Sequence, residues 1–339
     1  MDRAGKSTSQ NPCLNIGIIG AGLAGLAAAT GLARAGHNIE IFEKSEFSSE
    51  VGAAINVCPN AVWEGNLINP ATPQTQVIDA TTGKITVRVP YTDLKERFGH
   101  PYYLYHRVDL HNGLRELTLE TRQGHPQTQL RLSSEVVDID CENGILTLKD
   151  GSQITKDLLV VADGVHSRFV NLINGKSADA EATGMCSYRW LIPKSKLLEN
   201  PESKEFIGMR EARRRTLSTP TETSGHRYWK SANQGQGGAQ GIEDGAALGI
   251  IFANVTSKDD IPRLLGLFQE VRHDRAAAIQ CLSNVGYDEA GTVGKLLEQY
   301  IQGPVPKTFD EIHQFNYGHD VMLEAEAAVI KSGLRRESY

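Results

Sequence analysis

An α/β fold built around a parallel sheet covered on both faces is what this sequence predicts. Three observations carry the prediction. Leu14 to Ile19 is a short apolar run of buried-strand type. A glycine turn and a small-residue helix follow it and lead into a second run, Asn38 to Phe42. Leu158 to Ala162 repeats the buried-strand pattern far along the chain and closes on Asp163-Gly164. Strand, helix and strand in that order form a parallel crossover unit of Rossmann type.

Each part of the first unit has a physical reason. Gly20 permits the tight turn, Gly22 lets the backbone approach a pyrophosphate, and Gly25 lets the helix pack close to the sheet. The helix N-terminus offers N–H groups and a positive dipole end to phosphate. Ala24, Ala27, Ala28 and Ala29 keep the helix slim, and Gly36 is its stop. Glu43 ends the second strand, where a carboxylate can accept both ribose hydroxyls of an adenosine. The motif predicts a dinucleotide site and does not choose between NAD and FAD.

The chain has 339 residues, enough for a sizeable core in two domains or one large one. A net charge of −6, spread along the chain, disfavours nucleic acid and anionic membranes as partners. The one basic run, Arg210 with Arg213 to Arg215, reads as a solvated surface. Cys13, Cys58, Cys141, Cys186 and Cys281 contain no C-x-x-C pair, which fits reduced thiols in a cytoplasmic setting and neither a disulfide framework nor a zinc site. His106, His111, His166 and His319 have no metal-ligand spacing and receive no role. Residues 1–13 are polar and read as disordered, without the apolar core of a secretory signal, and no run reaches the length of a membrane span.

Further elements follow from pattern. Gly52 to Ala54 is a tight turn, and Pro59-Asn60 a turn or helix start. Ile85 to Val89 alternates like a strand, and Val108 to Thr121 is helical. Gln129 to Leu132, Glu135 to Ile139 and Ile145 to Leu148 read as a meander with turns at Glu142-Asn143-Gly144 and Asp150-Gly151. Tyr188 to Pro193 reads as a strand. Met209 to Asn233 has no strand-like pattern. Helices are predicted over Gln240 to Val255, Ile261 to Gln280 and Asp320 to Lys331. Glu243 and Asp244 look like a catalytic pair or, more simply, like first-turn acids favoured by the helix dipole.

Several blocks in a fixed order resemble the class A FAD-dependent monooxygenases, the aromatic hydroxylases, and especially their fungal, salicylate-hydroxylase-like branch. They are GIIGAGLAGLAAA, EVGAAINVCPNA, YHRVDLHNGL, DLLVVADGVHSRFV, YRWLIP, GQGGAQGIEDGAALG and the terminal YGHD. The resemblance implies an aromatic-hydroxylase fold with FAD and NAD(P)H as cofactors. It implies that the turn at Ala53 and Ala54 passes close to the flavin. Arg107 would lie against the FAD ribose and pyrophosphate, a task suited to a guanidinium. Asp163-Gly164 would belong to a second fingerprint touching FAD, with Ser167 present but Val170 where an arginine is usual. Gly235 to Ala239 would precede the helix whose N-terminus faces the flavin pyrimidine edge and stabilises negative charge there, with Gly237 and Gly238 letting the backbone approach the ring. Arg189 would face the substrate as the catalytic-site arginine, holding a phenolate, or else be structural.

The chain also departs from the family. The G-D dipeptide expected before Gly235 is missing, the residues there reading GHRYWKSANQ. Only Met209 to Asn233 stands where a long antiparallel sheet would roof the substrate pocket. These gaps read as an internal deletion or an imperfect gene model. The predicted organisation is a FAD-binding domain over 14–182, with a small substrate-side insertion at about 76–100. A truncated substrate-binding segment over 183–234 follows, then the second part of the FAD domain over 235–290 and a helical tail over 291–339. The implied activity is hydroxylation of a phenolic or polyketide-like aromatic with NAD(P)H and O2, in secondary metabolism. The alternatives are an uncoupled or inactive truncated flavoprotein and a non-oxygenating FAD dehydrogenase. A homo-oligomer or a partner enzyme is compatible with each.

Overall fold

The computed structural model describes residues 13–47, 54–62, 74–79, 84–175, 193–201, 204, 215–218, 235–285 and 291–334. The order begins β1 (Asn15–Ile19), α1 (Leu23–Arg34), β2 (Asn38–Phe42), β3 (Ala54–Val57), a 3-10 turn (Pro59–Ala61), β4 (Gln74–Asp79) and β5 (Ile85–Pro90). Next come α2 (Leu94–Phe98), β6 (Tyr103–His106), α3 (Arg107–Leu119), β7 (Gln129–Arg131), β8 (Val136–Asp140), β9 (Ile145–Leu148), β10 (Gln153–Thr155) and β11 (Leu158–Val161). The chain continues through α4 (Val170–Asn174), α5 (Lys194–Glu199), β12 (Arg215–Ser218), α6 (Gln236–Phe252), α7 (Ile261–Ser283), α8 (Gly294–Leu297), α9 (Phe309–Tyr317) and α10 (Val321–Lys331).

The central sheet has the order β11-β1-β2-β7 and is parallel throughout. Alternation sorts its side chains onto two faces. Ile16, Ile18, Ile39 and Ile41 pack against α1, α6, α7 and α10 in the largest apolar cluster. Ile19 and Phe42 turn the other way, onto Val136, Ile139, Leu146 and Leu148 of the antiparallel β8-β9-β10 meander. The sheet is therefore covered on both faces, as its apolar runs predict. Each such side chain taken from water contributes roughly 1.5–3 kcal/mol.

Two strand readings need correction. Gln129 to Arg131 does not belong to the meander; it is the fourth strand of the parallel sheet, paired in register with Glu40 to Phe42 of β2. Within the stretch that lacks a strand pattern, Arg215 to Ser218 forms β12, parallel to Gln76–Asp79 of β4. A partner far away in sequence supplies the ladder there, so short local alternation was no guide. The predicted strand over 188–193 lies outside the described residues, except Pro193.

Helices α1 and α6 run parallel and very close. A Cβ at Gly241 would stand 2.7 Å from Ala24 Cβ, one at Gly245 2.4 Å from the Ala27 carbonyl carbon, and one at Gly249 2.8 Å from Gly31. Only glycines at that four-residue spacing admit the approach. The pairing rises in step along both helices, so their N-termini lie side by side at one end of the sheet.

Candidate cofactor site

The glycine turn is built as a cradle. Gly20 has φ +99°, and its amide donates to Phe42 O at 2.8 Å, tying the turn to β2. A Cβ there would stand 2.5 Å from Ala162 O, and one at Gly25 2.0 Å from Gly20 O. Gly22 differs: nothing lies within 4 Å of its Cβ position. It caps α1 without a side-chain bond, no acid occupies the first turn, and its amide has no protein acceptor among the described residues. The N-terminal N–H groups and the dipole of α1 thus face an open space suited to a diphosphate.

Glu43 stands beside this cradle, 9% exposed. Its Oε2 accepts the Ala21 amide at 2.8 Å and its Oε1 the Ser45 amide at 2.8 Å. His111 approaches Ala21 from α3: its Nε2–H donates to Ala21 O at 2.7 Å. A carbonyl can only accept, so Nε2 carries the proton. The residues present therefore fit an adenine dinucleotide.

Arg107 opens α3 one turn before His111, on the same helix face. Ala54 begins β3 and pairs with His106 of β6, which brings it next to Arg107. Asp163 follows β11; its Oδ2 accepts the Arg168 amide at 3.3 Å, and its Cα would lie 3.0 Å from a Gly20 Cβ. A cavity of about 320 Å³ opens here, lined by Ala24, Ala162, Asp163, Gly164, Ser167 and Val170. Val170 thus occupies a cavity wall, while Arg168 turns outward to Glu135 at 3.3 Å. Arg189 lies outside the described residues, as do Gly52 and Ala53.

On the α6 side, Gly235 has φ +67° and caps the helix without a side-chain bond. The Cys58 thiol donates to Gly235 O at 3.6 Å, and burial pushes that thiol up to about 12. Gly237 borders open space, and Gly238 borders Ile55 and Leu23, the latter at the start of α1. The two helix N-termini therefore lie side by side, with Glu43 and Asp163 at the α1 turn and β3, which Ala54 begins next to Arg107, against the start of α6.

Helix α6 starts at Gln236, four residues before its predicted start, so Glu243 and Asp244 are not first-turn acids. Glu243 is fully buried and accepts from Arg272 Nη1 at 2.7 Å, Arg275 Nη2 at 3.1 Å and Asn60 Nδ2 at 2.6 Å. Burial alone would raise its carboxyl, but Arg275 and Arg272 outweigh burial and hold it below its ordinary value. Arg272 Nε also holds Asp244 at 2.7 Å. These acids tie α6 to α7 rather than face the cradle. Arg275 extends the tie by donating to Phe315 O at 2.6 Å and Asn316 O at 2.8 Å, just before the terminal YGHD block.

Sequence reasoning missed His111, Arg272 and Arg275. A signal existed for the first: His111 stands four residues after Arg107 on a predicted helix. None existed for the arginines, whose partners lie about thirty residues away (28 to 32 for the acids).

This fold and site define an FAD-binding oxidoreductase of aromatic-hydroxylase architecture. Residues 14–215 match the pyridine nucleotide-disulphide oxidoreductase family, and the chain belongs to it. Within that broad group the resemblance to the class A FAD-dependent monooxygenases is borne out. The FAD-dependent monooxygenase cfoG of Aspergillus candidus is 29% identical over 409 aligned residues, taking in 92% of this chain and 94% of that protein. The 3-hydroxybenzoate 6-hydroxylase 1 of Aquipseudomonas alcaligenes is 36% identical over 191 residues, 53% of this chain and 47% of that protein. A solved salicylate hydroxylase substrate complex shares the fold, with a TM-score of 0.56 at 18% identity, over 94% of this chain and 98% of that one. Among the described residues no helix is long and apolar enough to cross a membrane.

Proposed function

We propose that this chain is an FAD-dependent monooxygenase that hydroxylates a phenolic or polyketide-like aromatic with NAD(P)H and O2, in the cytoplasm and in secondary metabolism. The observation that carries the reading is the side-by-side placement of the α1 and α6 N-termini, with the Glu43 carboxylate at the α1 turn. The names of the relatives, a FAD-dependent monooxygenase and a 3-hydroxybenzoate hydroxylase, support the reaction class and an aromatic substrate.

The residues divide the work. Glu43 accepts the adenosine ribose hydroxyls. The N-terminal amides of α1 take the diphosphate, and Arg107 adds a charge-assisted contact to it. The first turn of α6, open at Gly237, stabilises negative charge at the ring edge nearest to it. Asp163 and Ser167 edge the cavity through which the nicotinamide approaches. Arg189 holds the substrate phenolate. Bound flavin supplies the redox chemistry, accepting reducing equivalents from NAD(P)H and activating O2; the protein binds, orients and excludes water.

A second reading has its own support. The G-D block is missing, and the alignment with the Aspergillus relative runs over 409 residues although this chain has 339. The first favours an internal deletion in the region that would roof the pocket, and the second means that the alignment carries gaps against this chain. Such a chain would bind FAD yet waste its reducing equivalents, because a wet pocket releases hydrogen peroxide.

One experiment separates the readings. Purified protein with bound FAD is given NAD(P)H, O2 and a panel of phenolic acids, and product and peroxide are quantified. Hydroxylated product in proportion to NAD(P)H consumed supports the monooxygenase. Peroxide equal to NAD(P)H consumed, with every phenol, overturns it in favour of the uncoupled flavoprotein. Turnover with another acceptor in the absence of O2 favours the dehydrogenase.

A further inference from the structure

The peptide unit between Ala21 and Gly22 lies in the glycine turn beside a residue held at both its N–H and its C=O. Its preceding amide, that of Ala21, is held by Glu43 Oε2 at 2.8 Å. Its carbonyl is held by His111 Nε2–H at 2.7 Å. Ala21 is fully buried and His111 is 1% exposed, so this carbonyl takes a protein donor where water has little access. The His111 ring is itself packed edge-on to Phe47, with centroids 4.8 Å apart. A trans peptide is planar, with its C=O and the next N–H pointing in opposite directions. Fixing the Ala21 carbonyl therefore fixes the direction of the Gly22 N–H. That amide has no protein acceptor among the described residues, and the space beside Gly22 is open.

We propose that His111 is a positioning residue of the cofactor site: by holding the Ala21 carbonyl it pre-aims the Gly22 N–H at the cofactor diphosphate. The inference rests on the dinucleotide reading of the glycine turn. His111 touches no part of the ligand and acts only through the backbone. Its contribution is preorganisation, since a turn already aimed gives up less freedom on binding. The same helix presents Arg107 one turn earlier, so α3 would set both a direct ligand and the orientation of the turn.

The test uses three full-length proteins: wild type, His111→Phe and His111→Gln. Phenylalanine keeps a ring against Phe47 and removes the donor; glutamine keeps a side-chain N–H. Affinities for FAD and, separately, for ADP are measured by titration, with thermal stability and amide exchange at Ala21 recorded in the ligand-free proteins. The expected result is a loss of roughly five- to fiftyfold in both affinities for His111→Phe, a span within that of one lost buried hydrogen bond. Exchange at Ala21 should rise with it, and His111→Gln should recover most of the affinity. If His111→Phe lowers thermal stability but leaves both affinities within twofold of wild type, the residue is only structural and the proposal falls. If His111→Phe does not fold, His111→Gln decides: restored exchange protection with wild-type affinity supports the proposal, and restored protection with affinity still lost overturns it. Wild type that binds ADP but not FAD would sink the flavin reading and leave the ADP comparison to judge His111. Wild type that binds neither sinks both.

Discussion

The carboxylate of Glu43 accepts the backbone N–H of Ala21 at 2.8 Å, locking the end of β2 to the glycine turn that follows β1. The acid that would receive the ribose is thus oriented by the loop that would receive the diphosphate. Glu43→Gln keeps one oxygen acceptor and removes the charge. A charge-assisted hydrogen bond is worth about 1.5–3 kcal/mol, so FAD affinity should fall roughly ten- to 150-fold. Quenching of flavin fluorescence on titration measures it. An unchanged affinity would mean that the ribose is held elsewhere.

Two glycines should separate binding from folding. Gly22 has φ −71° and ψ −176°, backbone that any residue adopts, and its Cβ position is open. Gly22→Ala should leave the melting temperature within a degree or two, yet block the approach of a diphosphate and abolish tight FAD binding. Gly245→Ala places a methyl 2.4 Å from the Ala27 carbonyl carbon. It forces α6 away from α1 and should cost about 1–3 kcal/mol, read as a lower urea midpoint. Equal melting temperatures for the two variants would refute the packing argument.

The contrast also shows what could be read from the chain. The β1-α1-β2 unit was legible because apolar runs, glycines and Glu43 all lie within thirty residues and obey local rules. The Gly241, Gly245 and Gly249 stripe was equally present in the sequence, but its meaning depends on a partner helix more than two hundred residues away. Helix α9 falls inside the helical tail read from the sequence, but its bounds do not follow from the apolar pattern, although Thr308 and Glu311 form a capping box at its start. Gly235 to Ala239 reads as a loop, so the sequence pattern starts α6 four residues late. Gly235 is in fact a left-handed cap, while Gly237 and Gly238 are already helical. Buried ion pairs were the least legible, since the Glu243 partners are set only when α7 docks.

Acid should weaken this fold above the range where carboxylates titrate. His313 is packed between Phe309 and Tyr317, at ring distances of 4.0 Å and 4.7 Å; burial, helped by Arg97, pushes it down to about 4. Burial and Arg275 likewise push His319 down to about 4. Burial lowers His37 as well; its Nδ1 accepts the Leu14 amide and its Nε2–H donates to Phe252 O. In the unfolded chain each imidazole takes a proton near pH 6.5, while the folded chain resists until about 4 for His313 and His319. Between those values the unfolded state binds more protons, so stability is complete above about 6.5 and falls as pH falls toward 4. The loss should reach roughly 3 kcal/mol for each of His313 and His319. Urea midpoints at pH 7 and pH 4.5 give the slope, and His313→Phe should flatten it; an unaltered slope would count against His313 as a source.

Arg275 should be the most costly arginine to remove. It is 7% exposed, donates twice to Glu243, and also satisfies the carbonyls of Phe315 and Asn316. Its guanidinium lies 5.0 Å from the Phe315 ring centroid. Arg275→Met leaves a buried carboxylate short of one partner and removes two charge-assisted bonds to carbonyls. Breaking a buried pair costs about 3–5 kcal/mol, a large share of a typical stability of about 5–15 kcal/mol. Arg97 offers the control: it pairs with Asp310 at 2.8 Å, but that carboxylate is 74% exposed. Arg97→Met should cost no more than about 1 kcal/mol. In the double variant Arg275→Met with Glu243→Gln, the neutral amide no longer demands a cation, so part of the loss should return as a favourable coupling in the double-mutant cycle. Strict additivity would mean that Arg275 acts mainly through the Phe315 and Asn316 carbonyls, anchoring the approach to the YGHD block rather than balancing the charge on α6.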